Sequence, residues 1–285
     1  MMWYFSINMT FRQVSDVAII IVNYKMKADI VKCLASLFPD FSGDSLNVRV
    51  TVVDNASGDG IDDFLKQNYP GVQCIVLPDN KGFGHANNAG IKATGAEYYF
   101  ILNPDTRFLP GARTIRRLYN WMETHPKVGL IGPKLVYPDG SLQNSCFRFP
   151  AFWQPLYSRT SFGTRSKGQG KRDKFLMRDF DHHRTQPVDW IMGSAMFARG
   201  SAIKEVGFFD DRFFMYYEDS DWCRRFWDFG WPVYYVHDIV IEHAHRRGSA
   251  KVPGVLSALI KNKLARVHLA SWLKYMWKWR GAHKL

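Results

Sequence analysis

Four short apolar runs in the first part of the chain have the length and composition of buried β-strands. They cover residues 17–24, 48–53, 73–77 and 98–102. The first of them, VAIIIVNY, is continuously apolar and β-branched up to a polar Asn, which is typical of a strand buried on both faces. Helical spacing of apolar residues fills the intervals at 29–38, 60–68, 85–94 and 111–124. This alternation predicts an α/β fold with a mostly parallel, Rossmann-like sheet flanked by helices.

The second half of the chain is less regular. Residues 188–199 and 233–243 have the apolar, β-branched character of strands. Between the two halves, residues 163–186 are charged, contain glycine and show no period, which predicts a mobile loop.

Polar side chains stand where three of the predicted strands end. They are Asn23, Asp54 and Asp105. In open parallel sheets ligands bind beyond the carboxyl ends of the strands. Each residue alone could equally be a helix cap or a turn former, but together they predict a binding site at this edge.

The net charge of +12 is concentrated in the C-terminal tail. Residues 251–285 contain eight Lys or Arg and no Asp or Glu, so the tail carries eight of the twelve net positive charges. The body of the chain is therefore only mildly basic, and we expect no nucleic-acid partner.

The tail also has an apolar stripe at helical spacing. The stripe consists of Ala265, Leu269, Trp272, Met276 and Trp279. Tryptophans on an apolar face beside lysines suit the headgroup zone of a membrane, so residues 255–285 are predicted to form a helix on an anionic membrane surface. The alternatives are a helix that packs on the catalytic body and a contact between subunits.

Composition also predicts the compartment. No run of 18 apolar residues is present, and the first 16 residues lack the pattern of a signal peptide. The four cysteines are far apart and form no CxxC pair, which argues against a zinc site or a disulfide framework. We expect a cytoplasmic protein that is peripheral on the inner face of the cytoplasmic membrane.

Six segments together resemble the family 2 glycosyltransferases with the GT-A fold, and most of all the rhamnosyltransferase-like branch. The segments are VAIIIVNYK (17–25), VTVVDNASGDG (50–60), PDNKGFGHANNAG (78–90), YYFILNPDTRF (98–108), VDWIMGSAMFARGSAIKEVGFFDDRFFMYYEDSDWCRR (188–225) and VIEHAHRRGSA (240–250). The resemblance implies a GT-A domain over 1–250 followed by the basic helical tail over 251–285. Within the domain, 16–108 would be the nucleotide-sugar half and 109–250 the acceptor and catalytic half.

The resemblance implies an inverting transfer of a sugar, possibly rhamnose, from a dTDP- or UDP-sugar to a saccharide on a polyprenyl diphosphate, in cell-surface polysaccharide synthesis. Asp54 would accept a hydrogen bond from the pyrimidine N3–H. The other implied donor-binding residues are Asn23, Asn80, Lys81, Gly82, Asn87, Asn103 and Asp105. Trp190, Gly193 and Glu218 are expected in the pocket for the acceptor or the donor sugar.

The metal motif departs from the family pattern. The usual Asp-x-Asp reads Asn103-Pro104-Asp105, so one carboxylate is absent. The resemblance still implies Mn²⁺ or Mg²⁺ on the donor diphosphate, with Asp105 as one ligand. A histidine ligand would be His243 or His245, both of which lie near Gly248-Ser249.

The acidic run Glu218-Asp219-Ser220-Asp221 occupies the place where the family keeps its general base, and Asp219 is the implied base. Without the resemblance, the same acids could simply begin a helix. Two other functions remain open at this stage, a sugar-nucleotidyltransferase and a non-catalytic nucleotide-sugar-binding protein. The first would need an Arg-containing, Gly-rich loop after the first strand, where this chain has Val22-Asn23-Tyr24-Lys25-Met26.

Overall fold

The computed structural model describes residues 14–152, 166–244 and 262–281. Its strands are β1 Ser15–Asn23, β2 Val48–Asp54, β3 Gln73–Val76, β4 Ala96–Leu102, β5 Thr106–Phe108, β6 Leu130–Val136, β7 Leu142–Gln143, β8 Cys146–Phe147, β9 Gln186–Pro187, β10 Trp190–Ile191, β11 Ala195–Arg199 and β12 Val233–His243. Its helices are α1 Lys27–Phe41, α2 Ile61–Asn68, α3 Phe83–Ala93, α4 Thr114–Thr124, α5 Ser166–Phe175, α6 Gly200–Val206, α7 Glu218–Asp228 and α8 Lys263–Lys278.

The first strand explains why the sheet has a core on both faces. Side chains of a strand alternate between the two faces, and β1 is apolar at both sets of positions. Val17, Ile19 and Ile21 enter one apolar cluster, and Ala18 and Ile20 enter the other. Helices must therefore cover both faces, which produces the three-layer arrangement.

The main sheet has the order β3-β2-β1-β4-β11-β6-β12-β5, with β7 paired to β6 and β9 to β12. The pairs among β3, β2, β1 and β4 are all parallel. Strand β11 is antiparallel to both β4 and β6, and β12 returns parallel to β6. The carboxyl ends of β1, β2 and β4 thus share one edge, beside the start of β11.

The structure confirms the predicted strands and helices of the first half, with ends shifted by a few residues. The rest of the chain differs from the prediction in several features, among them the short strands β7, β8 and β9, which were not predicted. The segment predicted as a mobile loop includes α5, whose charged residues have no apolar period to reveal it. The predicted strand at 188–199 is two short strands separated by a turn, and β6, which contains Pro133, was not predicted.

The described part of the tail forms helix α8, as predicted, but most of its apolar stripe does not face outward, and Leu269 is the one exposed member. Ala265 is fully buried, and Trp272, Met276 and Trp279 pack around Phe213, Tyr217 and Tyr275. For Ala265, Trp272, Met276 and Trp279, the alternative of packing on the catalytic body is the one observed, so these four residues do not face a membrane. These tail residues pack against aromatic residues that precede α7. The sequence of the tail alone could not reveal this packing partner. Within the described ranges, no helix has the length and apolarity needed to span a membrane.

Candidate active site

A cavity of about 590 Å³ opens at the carboxyl edge of β1, β2 and β4. It is the place where the sequence predicted a ligand site. Nine of the predicted site residues line it, namely Asn80, Gly82, Asn103, Asp105, Trp190, Gly193, Glu218, Asp219 and His243. Asn23, Asp54, Lys81 and Asn87 do not line it, and His245 lies outside the described residues.

Asn23 and Asp54 form a buried polar network behind the cavity lining. The Asn23 amide donates to Asp54 Oδ1 at 2.8 Å, to Ser57 Oγ at 3.1 Å and to Asp59 Oδ1 at 3.0 Å. The Asn23 side-chain oxygen accepts from the backbone N–H of Met26 at 3.0 Å. These contacts fix the loops after β1 and β2 to each other, so Asn23 stabilises this edge of the sheet from behind the cavity lining.

A second polar residue after β2, Asn55, was missed by the sequence analysis and lines the cavity. Its amide donates to Asn80 Oδ1 at 3.0 Å and to the Gly82 carbonyl at 3.2 Å. Asn80 Oδ1 also accepts from the Gly82 N–H at 3.0 Å. The signal was available, because Asn55 directly follows the Asp54 that ends the strand.

Gly82 is required at its position by conformation and by space. Its φ is +105°, and a Cβ there would collide with the carbonyl of Phe214. The neighbouring Phe83 N–H donates to that same carbonyl at 3.0 Å. The loop before α3 is thereby held against the segment before α7, across the cavity.

Two predicted loop residues lie away from the cavity. Lys81 is exposed and pairs with Asp79 at 3.5 Å on the surface. Asn87 is buried in α3 and donates to the Phe83 carbonyl at 2.9 Å. In this structure Lys81 is a surface residue and Asn87 stabilises the first turn of α3.

Asp105 and His243 meet at the cavity from different strands. The His243 Nε2 lies 3.2 Å from Asp105 Oδ1, and both residues are almost fully buried. The His243 Nδ1 lies 2.6 Å from Gln143 Oε1, whose amide nitrogen is 3.4 Å from the His243 carbonyl. With the Gln143 amide in this orientation, Gln143 Oε1 accepts from the Nδ1–H of His243, and Nε2 is the ring nitrogen that faces the carboxylate.

This donor set suits a divalent cation. The Asp105 carboxylate oxygen and the His243 ring nitrogen face each other at 3.2 Å. Carboxylate oxygens and imidazole nitrogens are both ligand types that Mn²⁺ accepts in proteins. Within the described ranges no group of three or more His, Cys, Asp or Glu could hold a metal by itself.

Asp219 is presented to the cavity by the first turn of α7. Its Oδ2 accepts from the Gly193 N–H at 3.0 Å, and its Oδ1 accepts from the Ser220 N–H at 2.7 Å. Burial raises the pKa of Asp219 to about 6, although these two N–H donors act to lower it. The carboxyl group is thus oriented by the backbone and titrates close to neutral pH.

Glu218 lies beside Asp219 and is nearly buried. Burial, together with the negative charge of Asp219, raises the pKa of Glu218 well above its ordinary value. Its Oε2 has no hydrogen-bond partner in the structure. Two adjacent buried carboxylates cannot both be ionised cheaply, so the titrations of Glu218 and Asp219 are linked.

Aromatic side chains form the wall of the cavity opposite the Asn80 loop. The rings of Trp190 and Phe147 stack with centroids 4.5 Å apart, and the Trp190 Nε1 donates to the Arg148 carbonyl at 2.9 Å. Phe175 of α5 stacks on the other side of Phe147 at 5.8 Å. A flat aromatic surface of this kind suits the apolar face of a sugar ring.

The match to known proteins agrees with this geometry. The model of the family described as "Glycosyl transferase family 2" matches residues 18–185, which is more than half of the chain. The chain belongs to glycosyl transferase family 2. Sugar transfer, and not nucleotidyl transfer, is therefore its reaction class, and the nucleotidyltransferase alternative is set aside.

Relatives of this family 2 glycosyltransferase include rhamnosyltransferases. The N-acetylglucosaminyl-diphospho-decaprenol L-rhamnosyltransferase of Mycobacterium tuberculosis (strain ATCC 25618 / H37Rv) is 30% identical over 222 residues, which cover 70% of this chain and 68% of the relative. The dTDP-rhamnosyl transferase RfbF of Shigella flexneri is 25% identical over 249 residues, which cover 85% and 73% of the two chains.

Solved structures establish the fold of this family 2 glycosyltransferase as GT-A. The mannosyltransferase PcManGT from Pyrobaculum calidifontis, in complex with GDP-Man and Mn²⁺, has a TM-score of 0.56 at 16% identity and covers 96% of this chain and 77% of its own. GalNAc-T7 with UDP, GalNAc and Mn²⁺ has a TM-score of 0.60 at 13% identity and covers 90% and 48%.

Proposed function

We propose that the chain transfers a sugar, with rhamnose as the first candidate, from a dTDP- or UDP-sugar to a hydroxyl group of a saccharide carried on a polyprenyl diphosphate. The observation that carries the proposal is the placement of Asp219 and the Asp105–His243 pair in one cavity. A proton acceptor and a site for the departing diphosphate are the two groups that sugar transfer requires. The names of the M. tuberculosis and Shigella relatives support rhamnose and the lipid-linked acceptor.

Asp219 is the proposed general base. It removes the proton from the acceptor hydroxyl as that oxygen attacks the anomeric carbon. The carboxylate is held by two backbone N–H groups, so it needs no rearrangement to accept the proton. The acceptor oxygen attacks the face of the sugar opposite the diphosphate, and the bond to the diphosphate breaks. This single displacement inverts the anomeric configuration.

Asp105 and His243 would hold the divalent cation, and Gln143 would orient the histidine. When bound, the cation neutralises the negative charge that develops on the diphosphate. Asp54 remains the proposed partner of the pyrimidine N3–H. Asp54 accepts from the Asn23 amide and from the Ser57 N–H, and Asn55, one residue later, lines the cavity.

The test is a panel of dTDP-, UDP- and GDP-sugars, supplied with Mn²⁺ and a short-chain polyprenyl-diphosphate N-acetylglucosamine. We expect release of the nucleoside diphosphate only when donor and acceptor are both matched, and a product whose anomeric configuration by NMR is the inverse of the donor's. Donor binding without any release of nucleoside diphosphate would instead support the non-catalytic binding protein. A product with retained configuration would exclude the single displacement.

We also propose that the chain works on the membrane surface that carries its acceptor, and that the outward face of α8 makes the contact. Leu269, Leu273 and Trp277 recur every four residues on this face and are 36%, 54% and 68% exposed. Arg280 is exposed on the same side, with its guanidinium 3.6 Å from the centroid of the Trp277 ring. Large apolar side chains beside cations suit an anionic bilayer, where each basic residue contributes about 1 kcal/mol.

Liposome co-sedimentation checks this membrane contact. We expect the full chain to bind vesicles that contain anionic lipid at low salt, and the double variant Leu273→Glu/Trp277→Glu to remain in the supernatant. The control is Phe229→Glu, which changes a residue 55% exposed on the catalytic body and is expected to bind like the unmodified chain. Equal partitioning of the double variant and the unmodified chain would show that the outward face of α8 does not bind the membrane.

A further inference from the structure

The backbone is strained immediately before the proposed base. Tyr216 and Tyr217 both have positive φ angles, 69° and 68°, in the left-handed region that bulky residues rarely occupy. They directly precede Glu218, where α7 begins, and they line the cavity. Two consecutive residues in this conformation persist only where the surrounding structure holds them.

Helix α8 supplies part of that support. The Ser271 hydroxyl donates to the Met215 carbonyl at 2.8 Å. The ring of His268 lies 4.9 Å from that of Tyr216 and 5.2 Å from that of Tyr217, and His268 itself lines the cavity. The inner face of α8 is therefore in direct contact with the strained turn.

The contact continues at Asp221, one turn of helix beyond the start of α7. This carboxylate is completely buried. It accepts from the Lys278 ammonium at 2.7 Å, from the Trp279 Nε1 at 2.9 Å and from the Arg225 Nε at 3.0 Å. Lys278 is the last residue of α8 and Trp279 directly follows it, so two of the three donors come from the C-terminal end of this helix.

Lys278 also reaches a second carboxylate, Asp210 Oδ2, at 2.8 Å. Asp210 precedes the strained turn and Asp221 follows the base, so one ammonium group joins the two ends of the segment that contains Asp219. Each carboxylate keeps an arginine of its own, Arg212 or Arg225, when Lys278 is absent. Loss of Lys278 therefore removes its bridge between Asp210 and Asp221, while each of these carboxylates still has a cationic partner.

We propose that Lys278 is a positioning residue for the reaction, and that α8 is part of the catalytic unit rather than an appendage. Lys278 does not line the cavity and acts through Asp210 and Asp221, which clamp the turn that presents Asp219. The inference rests on the proposed role of Asp219 as the base. Misplacement of a catalytic group by about 1 Å can cost about 100-fold in rate.

The test compares Lys278→Met, Lys278→Arg and the matched control Lys263→Met, which changes an exposed lysine on the same helix. For Lys278→Met we expect kcat to fall about 10- to 100-fold while the KM for the donor stays within about twofold, since Lys278 does not line the cavity. Lys278→Arg retains two-way pairing and is expected to recover most of kcat. Lys263→Met is expected to behave like the unmodified chain.

Hydrogen exchange of the free protein gives a readout that does not depend on the reaction. We expect the amides of residues 213–221 to exchange faster in Lys278→Met, with the rest of the sheet unchanged. Unchanged exchange in this segment, or an unchanged kcat, would overturn the proposal. A fall in kcat that comes with a general loss of exchange protection would also overturn it, because Lys278 would then be an ordinary stabilising residue. If the unmodified chain transfers no sugar, the proposed function fails, and the exchange result still decides whether Lys278 clamps the segment.

Discussion

Asp219→Asn should reduce sugar transfer by about 10²- to 10⁴-fold and leave donor binding nearly unchanged. The amide cannot accept the acceptor's proton, and loss of a general base typically has this cost. The substitution is nearly isosteric, and the side-chain oxygen can keep one of the two backbone hydrogen bonds, from Gly193 or Ser220. Turnover with saturating donor and acceptor measures the rate, and thermal shift with the nucleotide sugar measures binding.

The control for this prediction is Asp63→Asn, which changes a surface carboxylate of α2 whose side chain is 73% exposed. The pH profile provides a second check. Because burial raises the pKa of Asp219 to about 6, the carboxyl group is increasingly protonated below that pH and cannot act as a base. We expect kcat/KM, which reports the ionisation of the free enzyme, to fall about tenfold per pH unit well below pH 6 and to level off above it. An Asp219→Asn enzyme with ordinary turnover, or a flat profile between pH 5 and 8, would rule out this base.

Asp105→Ala should weaken both donor binding and transfer by at least about 100-fold when Mn²⁺ is present. Partners that merely orient a metal ligand typically contribute 10- to 100-fold to metal affinity or activity, so removal of a ligand is expected to cost more. Chelation of the unmodified chain should abolish transfer, and added Mn²⁺ should restore it. Binding of Mn²⁺ in the presence of a nucleoside diphosphate can be followed directly by electron paramagnetic resonance.

Variants of His243, Gln143 and His245 test the proposed metal site residue by residue. His243→Asn should reproduce most of the loss, because His243 Nε2 faces Asp105. Gln143→Leu should cause a smaller loss, about 10- to 100-fold, since it releases the histidine ring without removing a ligand. His245→Asn serves as the comparison that decides between the two histidines. Full activity after exhaustive chelation would show that the leaving group departs without a metal, and Asp105 would then be a donor-contacting residue only.

Much of the fold could be predicted from local patterns. The continuous apolar runs of β1, β2 and β4 require a sheet that is covered on both faces, and the helical intervals between them require parallel pairing. Strand ends in such a sheet share an edge, which is why Asp105 could be placed at the site before the structure was known. Helix α5 was missed because its residues are charged and carry no apolar period.

The site was predicted less completely, because lining a cavity depends on side-chain direction. Asn23 and Asp54 end neighbouring strands at the predicted edge, yet they hydrogen-bond to each other behind the lining. Asn55, one residue later, points into the cavity instead. Neighbouring positions differ in this way because successive residues at a strand end point in opposite directions, and the loop that follows decides which one faces the ligand.

The tail shows most clearly which features are local and which depend on the tertiary structure. The sequence by itself determined that the tail contains an amphipathic, basic helix, predicted over 255–285 and described over Lys263–Lys278, because spacing and composition are local properties. Only the tertiary structure decided that Trp272, Met276 and Trp279 face the body and that Leu269, Leu273 and Trp277 face outward. Likewise, the acids of α7 could be read from the sequence, but the burial of Asp221 and its pairing with Lys278 could not. Burial and pairing depend on which distant segments come together, and those contacts form only when the chain is folded.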